Sequence, residues 1–317
     1  MRILRHAIVA LAISILPSSF PAAEAQEVHP DTIAALRVLA EKGDADACVS
    51  LGALYEYGTG VDPDYSEAAF WFLKGAEAGD ANAQYNIAVK YISGLGIEPS
   101  EEKAFRWFLK SAEGGNAKGK YNAGCCYLTG RGVDADPDEA FRLFSEAVED
   151  GLPEAMYNLG ACYQAGVSVA RNPAKAFVWY LESAKGGFPL GKYVVAVCYD
   201  AGYGTDPDTA EAVVWYKRAA DDGVAEACYE YGACLLHGDG VAPDEAAAFE
   251  MFRRAAGYGM PEGVRAVALC YKYGVGVDKD EQEAARWQEI ADENASEERE
   301  SGLASYPGNF LFALPSD

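Results

Sequence analysis

Histidine is nearly absent from this chain. Its 317 residues include three, His6, His29 and His237. So few, spread so widely, give no zinc-ligand cluster and no evident Ser–His or Cys–His pair for nucleophilic catalysis. Positive charge is also short: 26 Lys and Arg face 49 Asp and Glu, for a net charge of −23. That balance argues against nucleic-acid phosphates and anionic lipid headgroups as partners, since both call for basic patches. It suits a protein or peptide partner with basic segments, and it also keeps a chain dispersed in water. Long apolar runs are missing. The longest at the N-terminus, Ala7 to Leu16, has 10 residues, about half of the roughly 20 that span a bilayer, so membrane insertion is not expected.

What is present is a period. Gly43, Gly79, Gly115, Gly151, Gly187, Gly223 and Gly259 stand 36 residues apart without insertion or deletion. A fixed period in this range marks a stacked repeat array. With each glycine as position zero, position nine is Gly52, Ala88, Gly124, Gly160, Ala196, Gly232 and Ala268, small residues suited to close helix contact. Position twelve is Tyr in all repeats but one, where it is Leu235. A glycine at position fifteen, from Gly58 to Gly274, closes a first helix of about a dozen residues, because glycine takes the left-handed C-terminal conformation without strain.

A second helix follows in each repeat. Position twenty-one is Asp64, Ser100, Asp136, Asn172, Asp208, Asp244 and Asp280, all good N-caps. Glu67, Glu139, Glu211 and Glu283 complete box-like pairs three residues on. Alanines from Ala68 to Ala284 come next, and then one bulky column holds all five tryptophans, Trp71, Trp107, Trp179, Trp215 and Trp287. Its regularity fits the seam along which repeats bury surface better than a ligand-stacking platform.

These columns, seen together in the stretch from Ala81 to Gly115 (ANAQYNIAVKYISGLGIEPSEEKAFRWFLKSAEGG), resemble the Sel-1-like repeat family, a relative of tetratricopeptide repeats. The resemblance covers residues 43–294 as seven units: 43–78, 79–114, 115–150, 151–186, 187–222, 223–258 and 259–294. It implies an all-α, right-handed superhelical solenoid of helical hairpins that serves as an interaction scaffold, with first helices lining the concave side.

The ends differ from the repeats. Residues 1–25 read as a secretory signal peptide: Arg2 and Arg5, the apolar run, then Ala23-Glu24-Ala25, with cleavage before Gln26. A secreted or periplasmic location is therefore expected. Residues 26–42 read as an N-terminal capping helix, since an end repeat must cover an open apolar face. Residues 295–317 read as a C-terminal cap, with Phe310, Leu311, Phe312 and Leu314 folding back, or as a partner-binding tail.

Other chemical signals are weak. Ser100 and Lys103 match a Ser-x-x-Lys nucleophile pattern, but Ser100 sits in the capping column. Asp134, Asp136 and Asp138 lack the central glycine and the twelfth-position glutamate of a calcium loop. Asn294-Ala-Ser296 fits a glycosylation sequon. Eight cysteines in an exported chain suggest disulfides, yet Cys126, Cys162, Cys198, Cys234 and Cys270 share position eleven. Equivalent residues on stacked helices lie about 8–10 Å apart, beyond the roughly 7 Å limit of a disulfide. Buried free thiols are expected, with a bridge from Cys228 to Cys198 or Cys270 left open. The cysteine-rich branch of the family, linked to penicillin binding and β-lactamase activity, clips the two helices of a repeat together. Here all eight cysteines fall in first helices, so that activity does not carry over.

The candidate surface lies on the first helices. At 100° per residue, positions three, six, ten and thirteen point away from the apolar face. Position six carries Tyr85, Tyr121, Tyr157, Tyr193 and Tyr229, and position seven carries Asn86, Asn122 and Asn158. A tyrosine ladder suits an interface because each ring pairs apolar area with a polar tip, and asparagine can hydrogen-bond a peptide backbone. The expected function is a non-enzymatic protein- or peptide-binding scaffold with no cofactor. The alternatives are a cell-wall-directed enzyme of the β-lactamase type and a periplasmic negative regulator of an envelope sensor.

Overall fold

The computed structural model of the chain describes residues 30–301, with side chains to Ala295. The expected signal peptide and the residues from Phe310 to Leu314 lie outside the described residues. Among the described residues there are fifteen α-helices and no strand. A leading helix, α1 (Pro30–Glu41), precedes seven hairpins. Their first helices are α2 (Ala45–Tyr57), α4 (Ala81–Ser93), α6 (Ala117–Thr129), α8 (Pro153–Ala165), α10 (Pro189–Ala201), α12 (Ala225–His237) and α14 (Pro261–Tyr273). Their second helices are α3 (Tyr65–Glu77), α5 (Glu101–Glu113), α7 (Pro137–Glu149), α9 (Pro173–Lys185), α11 (Thr209–Asp221), α13 (Glu245–Gly257) and α15 (Glu281–Ser301). Consecutive helix pairs pack as a repeat solenoid. The chain divides into two compact units, residues 1–155 and 156–317.

The capping column behaves as its chemistry dictates. The Asp64 carboxylate accepts from the backbone N–H groups of Ser66 and Glu67 at 2.8 and 3.0 Å. Asn172, Asp208 and Asp244 cap α9, α11 and α13 in the same way. First helices begin in two styles. Asp44, Asp80 and Asn116 accept cap hydrogen bonds. Phe188, Val224 and Met260 occupy the same position with no side-chain cap bond. The Val224 and Met260 side chains are buried instead, and the Phe188 ring meets the Tyr157 ring edge-on at 5.5 Å. Apolar burial takes the place of a capping bond in the later repeats.

The turn between the helices of a repeat is fixed by glycine. Gly96 has φ +79°, and a Cβ there would lie 1.9 Å from the carbonyl oxygen of Tyr65 in the preceding repeat. Only a residue without a side chain lets this turn lie against the start of α3. In the fourth repeat Ser168 takes this place at φ 60°.

Each of the first six hairpins closes around one aromatic ring. Phe72, Phe108, Phe144, Tyr180, Tyr216 and Phe252 follow the bulky column by one residue, and all six are buried. Added at Gly52, a Cβ would come within 2.5 Å of the Phe72 ring. At Gly160 it would come within 2.7 Å of Tyr180. The small residue at position nine makes the hollow that this ring fills.

In the first unit, α1 packs on the first hairpin, with Ile33 and Ala40 buried beside Ala47, Cys48, Leu51 and Trp71. Lys90 takes the place in α4 that cysteine holds in later repeats. Its ammonium is 2.6 Å from Glu56 of α2, with a Lys90 side chain only 3% exposed. At the other end α15 has 21 residues and runs past Asn294 to Ser301.

All eight cysteines are free, and seven are buried, Cys234 being partly exposed. The open alternative of a Cys228 bridge is not realised. The Cys228 thiol points at the Ala220 carbonyl, 3.7 Å away, as Cys48 points at that of Ala40. Burial pushes the thiols of Cys126, Cys162 and Cys198 up to about 12. They stay protonated near neutrality, and the protonated thiol is the unreactive form.

Two outcomes follow from this packing. Thiol titration at pH 8 should find few reactive cysteines in the folded chain and more than four in denaturant without reductant. Glu56→Ala should cost about 3 kcal/mol or more in urea unfolding, because it strands a buried ammonium. Lys90→Met combined with Glu56→Leu should stay within about 1 kcal/mol of wild type, since apolar replacement of a buried pair is often neutral.

Candidate functional site

The tyrosine column is present on the first helices, but its rings turn toward the hairpin interior. Each packs, tilted, on the buried aromatic of its own second helix. Tyr85 meets Phe108 at 5.9 Å, Tyr121 meets Phe144 at 5.9 Å, and Tyr157 meets Tyr180 at 5.4 Å. Tyr193 meets Tyr216 at 6.0 Å and Tyr229 meets Phe252 at 5.5 Å. These aromatic pairs span the two helices of the second to sixth hairpins.

Exposure then divides the candidates. Tyr121 is 7% exposed, Tyr157 1%, Asn122 6% and Asn158 5%. This corrects the expectation that the ladder faces solvent along its whole length. The 100° rule places position six outside the apolar arc, but a large ring there folds back over the facing aromatic. Asn122 donates to the Lys118 carbonyl of its own helix at 2.8 Å. Tyr85, Tyr193, Tyr229 and Asn86 remain partly exposed.

In the first unit, Tyr85 looks toward position three of later repeats. Lys118 lies 6.0 Å from its ring centroid. Burial first, then the Glu154 carboxylate, pushes the Tyr85 hydroxyl up to about 12. One oxygen of Glu154 is buried with no hydrogen-bond partner.

In the second unit, the same geometry gathers carboxylates. Tyr193 of α10 is held protonated far above the usual range by burial, then by Glu230 and Glu226 of α12. Tyr157 is raised by burial, then by the neighbouring Tyr193 and Glu226. Both glutamates are themselves raised. Partial burial is the main cause for each, with Glu262 adding to Glu226 and Asp200 adding to Glu230. Glu262 is paired with Arg265 at 2.9 Å. Among the described residues no lysine, arginine or histidine pairs with Glu226, Glu230 or Asp200.

Sequence reading singled out the aromatic column and passed over these acids. The signal was available. Position three holds Glu154, Glu226 and Glu262, and only the sixth repeat has glutamate at both three and seven. A heavily acidic composition hid it, because single glutamates look like solvating charge.

The tryptophan column divides as well. Trp71 and Trp215 are buried, while Trp107 is partly exposed beneath the Lys110 ammonium, 4.3 Å from its ring centroid. Among the described residues no group of three or more His, Cys, Asp and Glu could hold a metal ion. None of their helices is long and apolar enough to cross a membrane.

Seven consecutive segments, 45–80, 81–116, 117–152, 153–188, 189–224, 225–257 and 261–291, match the Sel1 repeat. The chain belongs to the Sel1 repeat family. Each match starts two residues after the repeat glycine, where the first helix begins. Proteins of this family are typically protein-interaction scaffolds. One solved Sel1-like structure is described as a protective antigen present in uropathogenic Escherichia coli strains. It is 32% identical, with a TM-score of 0.68, across 83% of this chain and 56% of its own length. This chain therefore spans little more than half of that relative. A Sel1 repeat protein from Oxalobacter formigenes is 28% identical with a TM-score of 0.70, covering 86% of this chain and 80% of its own. Among curated proteins none matches the sequence.

Tyr121→Ala and Tyr157→Ala should each destabilise by about 3–5 kcal/mol in urea unfolding, the range for deleting a large buried aromatic side chain. Tyr193→Ala and Tyr229→Ala, partly exposed, should cost clearly less. Equal losses at all four positions would mean that the exposure difference has no energetic content.

Proposed function

We propose that this Sel1 repeat protein is a non-enzymatic scaffold that binds a protein or peptide on the face of its first helices. The observation that carries this reading is the partly exposed aromatic and acidic surface around Tyr193 and Tyr229. It offers ring area, hydroxyls and carboxylates that have no cationic partner, and tyrosine is a frequent interface anchor. In the first unit Tyr85, Asn86 and Lys118 supply a related surface. The acidic balance favours partners with basic segments and speeds their encounter. The order of charged, apolar and small residues in 1–25 supports export to a secreted or periplasmic location, with cleavage before Gln26.

The test is site-specific photo-crosslinking in cells. A crosslinking residue at Asn82, Lys118 or Arg265 on first helices should capture the same discrete partner. One at Lys103, Val178 or Lys217 on second helices should not. Capture from second-helix positions alone would place the binding face on the wrong side.

A further inference from the structure

The seventh hairpin departs from the other six at its centre. The column that holds Phe72, Phe108, Phe144, Tyr180, Tyr216 and Phe252 ends in Gln288. The six rings are buried, while Gln288 is exposed. A second column changes with it. Three residues earlier on their second helices stand Phe105, Phe177 and Phe249. Each meets, edge-on, a tyrosine on the first helix of the next repeat. Phe105 meets Tyr127 at 5.1 Å, Phe177 meets Tyr199 at 5.2 Å and Phe249 meets Tyr271 at 5.3 Å. In α15 the same position is Ala285, and it is exposed. The seventh hairpin thus lacks both the ring that fills its own hollow and the ring that meets a following helix.

A groove of about 480 Å³ stands there instead, between α14 and α15. Its lining includes Ala268, the small residue of position nine, with Leu269, Lys272, Ala284, Ala285 and Gln288. Elsewhere the same positions receive the next repeat. Position thirteen, here Lys272, is Glu56 in the first repeat, where it pairs with Lys90 of the second. Position ten, here Leu269 at 51% exposure, is the buried Cys125 in the third repeat. A closed cavity of about 150 Å³ is enough to hold benzene, so the groove has room for more than one ring.

The vacant volume and the two missing rings point to an aromatic occupant, and the chain carries one nearby. Residues 302–316 contain no charged side chain, in a sequence that is 24% charged, and they include Phe310, Leu311, Phe312 and Leu314. From Gln288 to Ser301 α15 rises about 20 Å, at roughly 1.5 Å per residue. The chain from Ser301 to Phe310 reaches up to about 30 Å when extended, and Pro307-Gly308 is a turn-forming pair. Phe310 can therefore double back as far as the groove. A tethered segment also meets its site at a high effective concentration, which a free partner must match.

We propose that the segment Phe310–Leu314 seats in this groove and places a phenylalanine ring over Ala268, supplying the aromatic that α15 lacks. The seated segment covers Leu269 and Ala285. It closes an apolar face that would otherwise be open to stacking on a second copy, a contact of the head-to-tail kind that does not close on itself. This seating is independent of what the first-helix face binds.

The test uses the full chain with a benzophenone side chain in place of Tyr273, a residue at the rim of the groove that is 65% exposed. Irradiation, with products mapped by mass spectrometry, should join this site to residues 306–314 of the same chain. The same group in place of Tyr57, the equivalent position of the first hairpin, should not reach those residues. Phe310→Ala/Phe312→Ala should abolish the crosslink and lower the melting temperature by several degrees. Gln288→Phe supplies the ring from α15 and should weaken the crosslink several-fold. Adding Phe310→Ala/Phe312→Ala to Gln288→Phe should then leave the melting temperature nearly unchanged. Capture of a second copy in place of the tail, with dimers in solution, would make the groove a self-association face and overturn the proposal. Capture of a different protein with no tail crosslink would also overturn it. So would tail crosslinks that form equally from Tyr57, or crosslinking and melting that ignore Phe310→Ala/Phe312→Ala. An equal melting loss from the alanine pair with and without Gln288→Phe would place the rings elsewhere and reject the groove.

Discussion

One contact recurs through the solenoid and the rest depends on it: the aromatic ring of each second helix lying in the hollow left by a small residue of the first. Phe72 over Gly52, Phe144 over Gly124, Tyr180 over Gly160 and Phe252 over Gly232 are four instances. A Cβ at these glycines would meet the ring at under 3 Å, so the two helices can approach this closely only without one. Close approach sets the pitch of the hairpin. It also fixes where position six falls, because the tyrosine there lies against the same ring. The candidate surface is therefore an edge of the core packing and not a layer added to it.

This coupling explains why the candidate surface is uneven. The second-helix aromatic is buried in the first six repeats, and the tyrosine over it varies from fully buried to partly exposed. Tyr121 and Tyr157 are buried together with Asn122 and Asn158, whereas Tyr85 and Asn86, the same pair of residue types, stay partly exposed. Where position seven is glutamate, beside Tyr229, the carboxylate stays near solvent and the ring edge stays with it. The positions around the shared contact differ between repeats, and so do the exposure and charge that each repeat offers. A solenoid keeps its fold through column residues that cannot vary freely, and carries individuality on the residues between them.

Electrostatics and burial act together in the sixth repeat. Desolvation disfavours ionised Glu226 and Glu230, and Glu262 and Asp200 add to it. In the first unit a buried charge is settled by direct pairing, Lys90 with Glu56. Glu226 and Glu230 have no such cationic partner among the described residues.

Sequence alone determined the architecture. The 36-residue period, the capping column and the turn glycines are local requirements of helix ends and tight turns, legible because backbone hydrogen bonding and φ constraints act within a few residues. The free state of the cysteines was legible for a similar reason, since same-column residues are held a helix spacing apart. Tertiary structure alone decided the exposure of the tyrosine column. Helical phase puts position six outside the apolar arc, and whether a large ring there turns back over the facing aromatic depends on the space across from it. It alone revealed the setting of Glu226 and Glu230 as well, because a carboxylate's environment is made by α8, α10, α11 and α14, which sequence distance separates by up to about two repeats. Solvation and charge pairing are sums over neighbours in space, and those neighbours are assigned only when the repeats stack.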